Sequence, residues 1–221
     1  ALEGDTIHAW NGTYYENIEI SDEITLKGNG TSTIINGTSG IAIEISDKDI
    51  TIEDLWIISS EKGVFLSSAN DISISTIRFT GNEYAIYIED SQGALIDNSE
   101  FDLEDYGIYF AGSSSEATVE YNKFRNATES AVYQSESDEN GGTSIHDNTF
   151  NDCAIGWQSG SSSNTFSDNI LKDNSYGIKL KGVESYGNMI DSNSFDDSVV
   201  GVYIYNTAHD NDLFNNEFDD S

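Results

Sequence analysis

Several sets of residues in this chain have types and spacings suited to chemistry. Lys179 and Lys181 alternate on one short segment, with Tyr176 just before them and Tyr203 one repeat later. A lysine or tyrosine is a general base when its pKa is tuned and it lies near contact with the proton it removes. Such a cluster would suit an enzyme acting on an acidic polysaccharide, although two lysines in a chain of 40 acids would equally relieve charge. Glycoside hydrolysis instead needs two carboxyl groups about 5 to 9.5 Å apart. Glu44 and Glu89, with Ser67 between them, are the candidates on one strand column. Asp152, Asp173, Asp197 and Asp220 recur one per repeat after Asn126. Stacked at about 4.8 Å, each adjacent pair repels by roughly 1 kcal/mol in water. Screening salt would offset this, and so would Ca²⁺, which takes about six to eight oxygens from such clusters. The last set is aromatic: Phe65, Tyr84, Tyr87, Tyr106, Tyr109 and Tyr133 recur at outward positions of successive repeats. Aromatic rings pack on sugar rings, and an exposed stripe of them marks a contact surface. Tyrosine also suits a pleated sheet and stacks on its own neighbours.

A repeat of about 23 residues positions all of these side chains. A small residue, Ile or Val, any residue and an apolar residue recur from Gly40-Ile41 through Gly63-Val64, Ala85-Ile86, Gly107-Ile108, Ala131-Val132, Ala154-Ile155 and Gly177-Ile178 to Gly201-Val202. Two inward residues flank an outward one, as in Val64-Phe65-Leu66 and Ile108-Tyr109-Phe110, which is the period of a strand. After a variable turn comes a second apolar position (Ile52, Ile74, Ile96, Val119, Ile145, Phe166, Ile190, Leu213). Five residues later comes a third (Ile57, Phe79, Phe101, Phe124, Phe150, Leu171, Phe195, Phe218). Three short strands per repeat leave no room for crossover helices. They predict an all-β fold, a right-handed single-stranded parallel β-helix whose coils, about eight of them, stack about 4.8 Å apart. Asn122, Asn148, Asn169, Asn193 and Asn216 precede the third apolar position by two residues and predict a hydrogen-bonded ladder inside a bend. Residues 1–39 lack the phrase and are expected to form an N-terminal cap and entry coils, and residues 40–221 form the repeats of one continuous domain. Ser221 falls where a further coil would begin, which suggests a longer protein or an end covered by a partner.

The stretches Asn164-Thr-Phe-Ser-Asp-Asn169 through Gly177-Ile-Lys-Leu180, and Asn188-Met-Ile-Asp-Ser-Asn193-Ser-Phe195, resemble the NosD-type repeats of the pectate-lyase-like superfamily of carbohydrate-binding and sugar-hydrolase β-helices. The opening Gly4-Asp-Thr-Ile7, Asn11-Gly-Thr-Tyr-Tyr-Glu-Asn-Ile18 and Ile24-Thr-Leu-Lys-Gly28 are similar to the first coils of the same superfamily. The resemblance implies one fold over essentially the whole chain. That superfamily holds lyases, hydrolases, esterases, adhesins and phage spikes, so the fold alone assigns no activity. In its lyases a basic residue or a tyrosine removes a proton beside a neutralised carboxylate, the role that Lys179, Lys181 and Tyr203 would take. No catalytic motif of the family surrounds them. The NosD name also implies copper delivery. Copper favours His, Met and Cys, and His8, His146, His209, Met189 and Cys153 are scattered over separate repeats, which argues against a dedicated copper site.

The formal net charge is −31, from 40 acids against 9 bases. So acidic a chain repels nucleic acid and anionic membrane and attracts cations. A halophilic or marine origin, with a solvated acidic surface, accounts for it. No stretch approaches the roughly 18 apolar residues of a membrane span, and no basic-then-apolar leader is present. A single cysteine excludes a disulfide framework. Sequons at Asn11, Asn29, Asn36 and Asn126 fit a secreted, glycosylated protein. The sequence therefore reads as an extracellular or cell-surface β-helix that is non-catalytic. Its aromatic strand face would bind polysaccharide or another surface protein. A polysaccharide lyase or hydrolase acting on acidic glycans, and a structural spacer of an envelope protein, are the alternatives. Ca²⁺ on the aspartate column is the one cofactor that the sequence suggests, and neither nucleic acid nor an inserted membrane is expected as a partner.

Overall fold

The computed structural model describes residues 1–38, 40–137 and 140–219, and every regular element among them is a strand. Each turn of the chain passes through three short strands, which pair in parallel with their counterparts one turn away. Sheet 1 holds ten strands, from Thr6–His8 to Asp212–Phe214, and sheet 2 ten, from Gly12–Tyr14 to Glu217–Asp219. Sheet 3 holds nine, from Ile18–Ile20 to Val200–Tyr205. This is a right-handed parallel β-helix of about ten turns, against the eight or so expected. The added turns come from the N-terminal segment, whose strands join the same sheets without the repeat phrase. Ile20, Leu26 and Ile35 fill its inward positions and extend the core.

The fixed spacing of five between two apolar positions has a backbone cause. Ile74 is buried, Ser75 is not, Thr76 turns the chain in the left-handed conformation at φ 53°, and Ile77 and Phe79 are again buried. One left-handed residue thus carries the chain from sheet 1 to sheet 2, as at Asp54, Asn98, Asp147 and Asp168. A second carries it from sheet 2 to sheet 3, as at Gly81, Asn126, Asp152 and Asp173. Gly, Asn and Asp take that conformation at least cost, which is why these types recur at the corners.

Equal positions line up as vertical columns. Ile86, Ile108 and Val132 share one register and are fully buried. Phe79, Phe101, Phe124 and Phe150 stack at successive ring-centroid distances of 4.9, 4.5 and 4.9 Å. The asparagine ladder runs through the first corner. Asn148 Oδ1 accepts the Asn122 backbone N–H at 2.9 Å, and Asn148 Nδ2 donates to Val119 O at 2.8 Å. One amide therefore satisfies a donor and an acceptor that the bend removes from the sheets. Two further ladders escaped the sequence reading. Asn140, Asn164, Asn188 and Asn211 serve the corner from sheet 3 to sheet 1. Ser60, Asn82 and Glu104 serve the corner from sheet 2 to sheet 3.

Two copies of the phrase sit two residues later than the sequence placed them. Ile43, not Ile41, pairs with Val64, and Trp157, not Ile155, lies between Val132 and Ile178. Close packing of the small residue decides this. A Cβ on Gly156 would lie 2.7 Å from Gly177 O and 2.9 Å from Leu171 Cδ2, where sheet 3 passes tightly over the inward ladder of sheet 2. Gly40 faces only the side chain of Asn17, with Nδ2 at 3.3 Å, and a backbone oxygen beyond it. Trp157 is fully buried, stacks on Phe166 at 5.0 Å and donates its Nε1–H to Gln134 Oε1 at 3.0 Å.

Candidate functional site

Sheet 3 has the longest strands, and its outer face gathers the aromatic set. Lys62, Tyr84 and Tyr106 share one column, and Glu44, Phe65, Tyr87, Tyr109 and Tyr133 share the next. Tyr84 and Tyr106 lie parallel at 5.2 Å and 6°, and Tyr87 and Tyr109 at 5.0 Å and 5°. Between columns the rings meet edge to face: Tyr84 with Tyr87 at 87° and Tyr106 with Tyr109 at 89°, both at 5.2 Å. The result is a herringbone slab in which every contact has a favoured aromatic geometry, worth roughly 0.5 to 1.5 kcal/mol. The Lys62 ammonium closes one end, 4.1 Å from the ring centroids of both Phe65 and Tyr87. Lys62 was missed in the sequence, although it precedes Gly63 as Tyr84 precedes Ala85 and Tyr106 precedes Gly107.

The rings cover one another, which corrects the expectation of a fully exposed stripe. The five tyrosines are half-buried, and Phe65 is buried at 9 % exposure. Burial raises the phenol of Tyr106 to about 12 and moves those of Tyr84, Tyr87 and Tyr109 upward as well. Nearby carboxylates push the same way, Glu83 on Tyr84 and Glu129 on Tyr106. These hydroxyls stay protonated at neutral pH. They offer hydrogen bonds and apolar surface, not a base.

Lys179, Lys181 and Tyr203 do come together further along the same face. Lys179 pairs in register with Tyr203 and Lys181 with Tyr205. The Lys179 ammonium lies 3.8 Å from the Tyr176 ring centroid, and burial lowers its pKa. Lys181 is engaged by Glu136 at 2.7 Å, and that hydrogen bond raises its pKa. Tyr203 is 44 % exposed and stacks on Tyr205 at 4.7 Å.

The carboxylate pair does not form. Glu44 is in register with Phe65 and Tyr87, whereas Glu89 is in register with Ser67 and Ala111, so the two lie in different columns. Shifting the first copy by two residues moved Glu44 out of the column assumed for it. Asp152, Asp173 and Asp197 occupy successive left-handed corners, at φ 54°, 55° and 51°, and Asp220 lies outside the described residues. The backbone accounts for aspartate there, and Lys172, bonded to Asp196 at 2.8 Å, feels the fields of Asp173 and Asp197. Among the described residues no three His, Cys, Asp or Glu groups converge as a metal-holding set.

The ligands that copper prefers are dispersed. His146 sits between Glu120 at 3.4 Å and Asp147 at 3.0 Å, and His209 stacks on Tyr186 and meets Asp210 at 3.0 Å. His8 and Met189 lie eight rungs apart on sheet 1. Cys153 is buried in the corner from sheet 2 to sheet 3, where burial pushes its thiol up to about 11. These five residues do not assemble a site that fits copper.

Known proteins place this architecture. The sequence matches the family described as periplasmic copper-binding protein (NosD) over residues 3–141 and again over 136–221. No curated protein matches it. An alginate lyase from Paenibacillus sp. str. FPU-7 has a similar structure, with a TM-score of 0.69 and 14% identity over 98% of this chain and 93% of that one. The catalytic domain of a GH87 α-1,3-glucanase, solved with tetrasaccharides, gives 0.72 and 17% over 86% of this chain and 41% of that one. A hyperthermoactive exopolygalacturonase from Thermotoga maritima gives 0.61 and 9% over 99% and 83%. At such identities the likeness shows the fold. The family match spans both halves of a three-sheet solenoid, and the chain accordingly belongs to the NosD family, with the right-handed β-helix fold that these structures share.

Proposed function

We propose that this chain is an extracytoplasmic, non-catalytic β-helix module that binds a polysaccharide along the outer face of sheet 3. The herringbone tyrosine slab carries the reading, because it is an ordered aromatic platform repeated once per turn on a flat sheet. Its phenols are neutral, and burial moves their pKa further upward, which suits contact and hydrogen bonding to sugar hydroxyls rather than proton abstraction. The family description, periplasmic, and the polysaccharide enzymes that share the fold agree with a secreted or cell-surface setting and a glycan ligand. Binding to an immobilised glycan array, with Tyr87→Ala and Tyr109→Ala as controls, tests the reading. Retained binding in both variants would remove the slab from the site.

One observation favours a second reading, a lyase. Lys179 is an amine that burial pushes toward its neutral form, and it has Tyr176 and Tyr203 beside it. Release of unsaturated, ultraviolet-absorbing sugars from an acidic glycan, abolished in Lys179→Met, would establish that reading in place of the first.

A further inference from the structure

Resting on the glycan-binding reading, we infer that the tyrosine slab selects an uncharged glycan and rejects uronate polymers. A rail of carboxylates runs along one edge of the slab. Glu61, Glu83, Asp105 and Glu129 immediately precede Lys62, Tyr84, Tyr106 and Ser130, four residues that share one register column. The backbone confirms the stacking: Tyr84 N donates to Glu61 O at 2.8 Å, Tyr106 N to Glu83 O at 2.9 Å, and Glu129 N to Asp105 O at 3.0 Å. All four acids are exposed. Their fields reach the ring hydroxyls, those of Glu83 and Asp105 acting on Tyr84 and those of Asp105 and Glu129 on Tyr106. Glu89 lies in register with Ala111 on the far side of the same strands.

The cations of this face offset the rail only at its Glu61 end, where the adjacent Lys62 ammonium lies over two rings. Lys179 lies over another ring further along the face, and Lys181 is bound to Glu136. A sugar chain lying on the slab therefore meets neutral phenols in the middle and carboxylates along the edge. An uncharged glycan hydrogen-bonds to both. A uronate residue placed about 6 Å from a rail carboxylate loses about threefold in affinity at low salt, so the three pairs at Glu83, Asp105 and Glu129 amount to about thirtyfold. Salt brings part of this back, because the Debye length falls to about 8 Å at physiological ionic strength and about 3 Å at 1 M.

Titration calorimetry of the full chain tests this, with cello-, malto- and laminari-hexaose as neutral probes and hexagalacturonate as the charged one, at low and high NaCl. The expected result is neutral binding that salt leaves unchanged, and uronate binding about thirtyfold weaker at low salt that strengthens as salt is added. The triple variant Glu61→Gln, Glu83→Gln, Glu129→Gln should close most of that gap by tightening the uronate alone. Wild-type salt dependence reads the same effect if the variant folds poorly. Uronate binding that equals or exceeds neutral binding at low salt, or that salt weakens, overturns the inference and leaves the glycan-binding reading standing. Binding of none of the four probes, by a chain whose near-ultraviolet tyrosine dichroism is intact, overturns both.

Discussion

Between about pH 4 and pH 9 the wild type should lose stability that a Glu104→Gln variant keeps. Glu104 is 1 % exposed and stands in the corner column shared by Ser60 and Asn82. Its Oε2 accepts the Asn82 backbone N–H at 2.5 Å and its Oε1 accepts Asn82 Nδ2 at 3.4 Å. Asp102 also acts on it, and has the wrong sign to hold a carboxylate. Burial therefore pushes the Glu104 carboxyl from 4.5 up to about 8, against the opposing pull of the Asn82 amides. The folded chain holds a proton there that the unfolded chain releases. The stabilisation is fully present below the unfolded pKa of 4.5 and is lost as pH rises through about 8. The full gap corresponds to roughly 5 kcal/mol, an upper limit because water entering the corner softens the charge. Glutamine keeps the acceptor and the shape but does not titrate. Urea unfolding of both proteins across this range isolates the effect, since every other acid is common to the pair. A stability difference that does not change with pH would mean that the carboxyl is ionised in the corner, and would refute the reasoning.

Asn148→Ala unpairs the Asn122 N–H and the Val119 carbonyl inside the stack, and should cost about 2 to 4 kcal/mol in urea unfolding. Lys181→Ala, which removes a partly exposed ion pair with Glu136, should cost no more than about 1 kcal/mol in the same assay. Gly107→Ala drives a Cβ against Ala131 O and the Phe124 ring and should cost about 1 to 3 kcal/mol, whereas Gly81→Ala, with open space at φ +69°, should cost only the left-handed penalty of about 1 kcal/mol. Molar NaCl should raise the melting temperature of this −31 chain while EDTA leaves it unchanged. A drop with EDTA that Ca²⁺ restores would instead show a bound cation, and its loss in Asp173→Asn would place that ion on the column of Asp152, Asp173 and Asp197.

Columns were legible in the sequence wherever the chain repeats a residue type. Phe79, Phe101, Phe124 and Phe150, and Asn122, Asn148 and Asn169, announced their stacks directly. Register failed where the phrase had two possible placements. Ala154-Ile155 matches it by letter, but the close approach to Gly177 O and Leu171 falls on Gly156, a tertiary constraint that no local pattern expresses. The turn count fell short for a related reason. Thr6–His8 and Gly12–Tyr14 pair in the sheets with every residue exposed but Tyr14, so they lack the apolar signature that identifies a coil. The ladder through Ser60, Asn82 and Glu104 was hidden because its two acceptors differ in type: Asn82 accepts the Ser60 N–H and Glu104 the Asn82 N–H, each from the turn before.

Exposure was the property least readable from sequence, and stacking explains why. Outward residues one turn apart lie about 5 Å from each other, so a column of like rings buries its own faces, as Tyr87 and Tyr109 do at 5.0 Å. The same spacing makes a column of like charges repel, by roughly 1 kcal/mol per neighbouring pair in water. Sheet 2 avoids that cost by alternation. Its outward column reads Trp56, Arg78, Glu100, Lys123, with Arg78 5.1 Å over the Trp56 ring and Lys123 3.7 Å from Glu100. The rail of Glu61, Glu83, Asp105 and Glu129 is not alternated, although one lysine in it would relieve two repulsions. Acids also recur at the corners of Asp152, Asp173 and Asp197, where the left-handed backbone accounts for them, whereas none of the four rail residues is left-handed, so the column beside the aromatic slab is acidic without that cause. Such departures concentrate where a surface serves something other than folding.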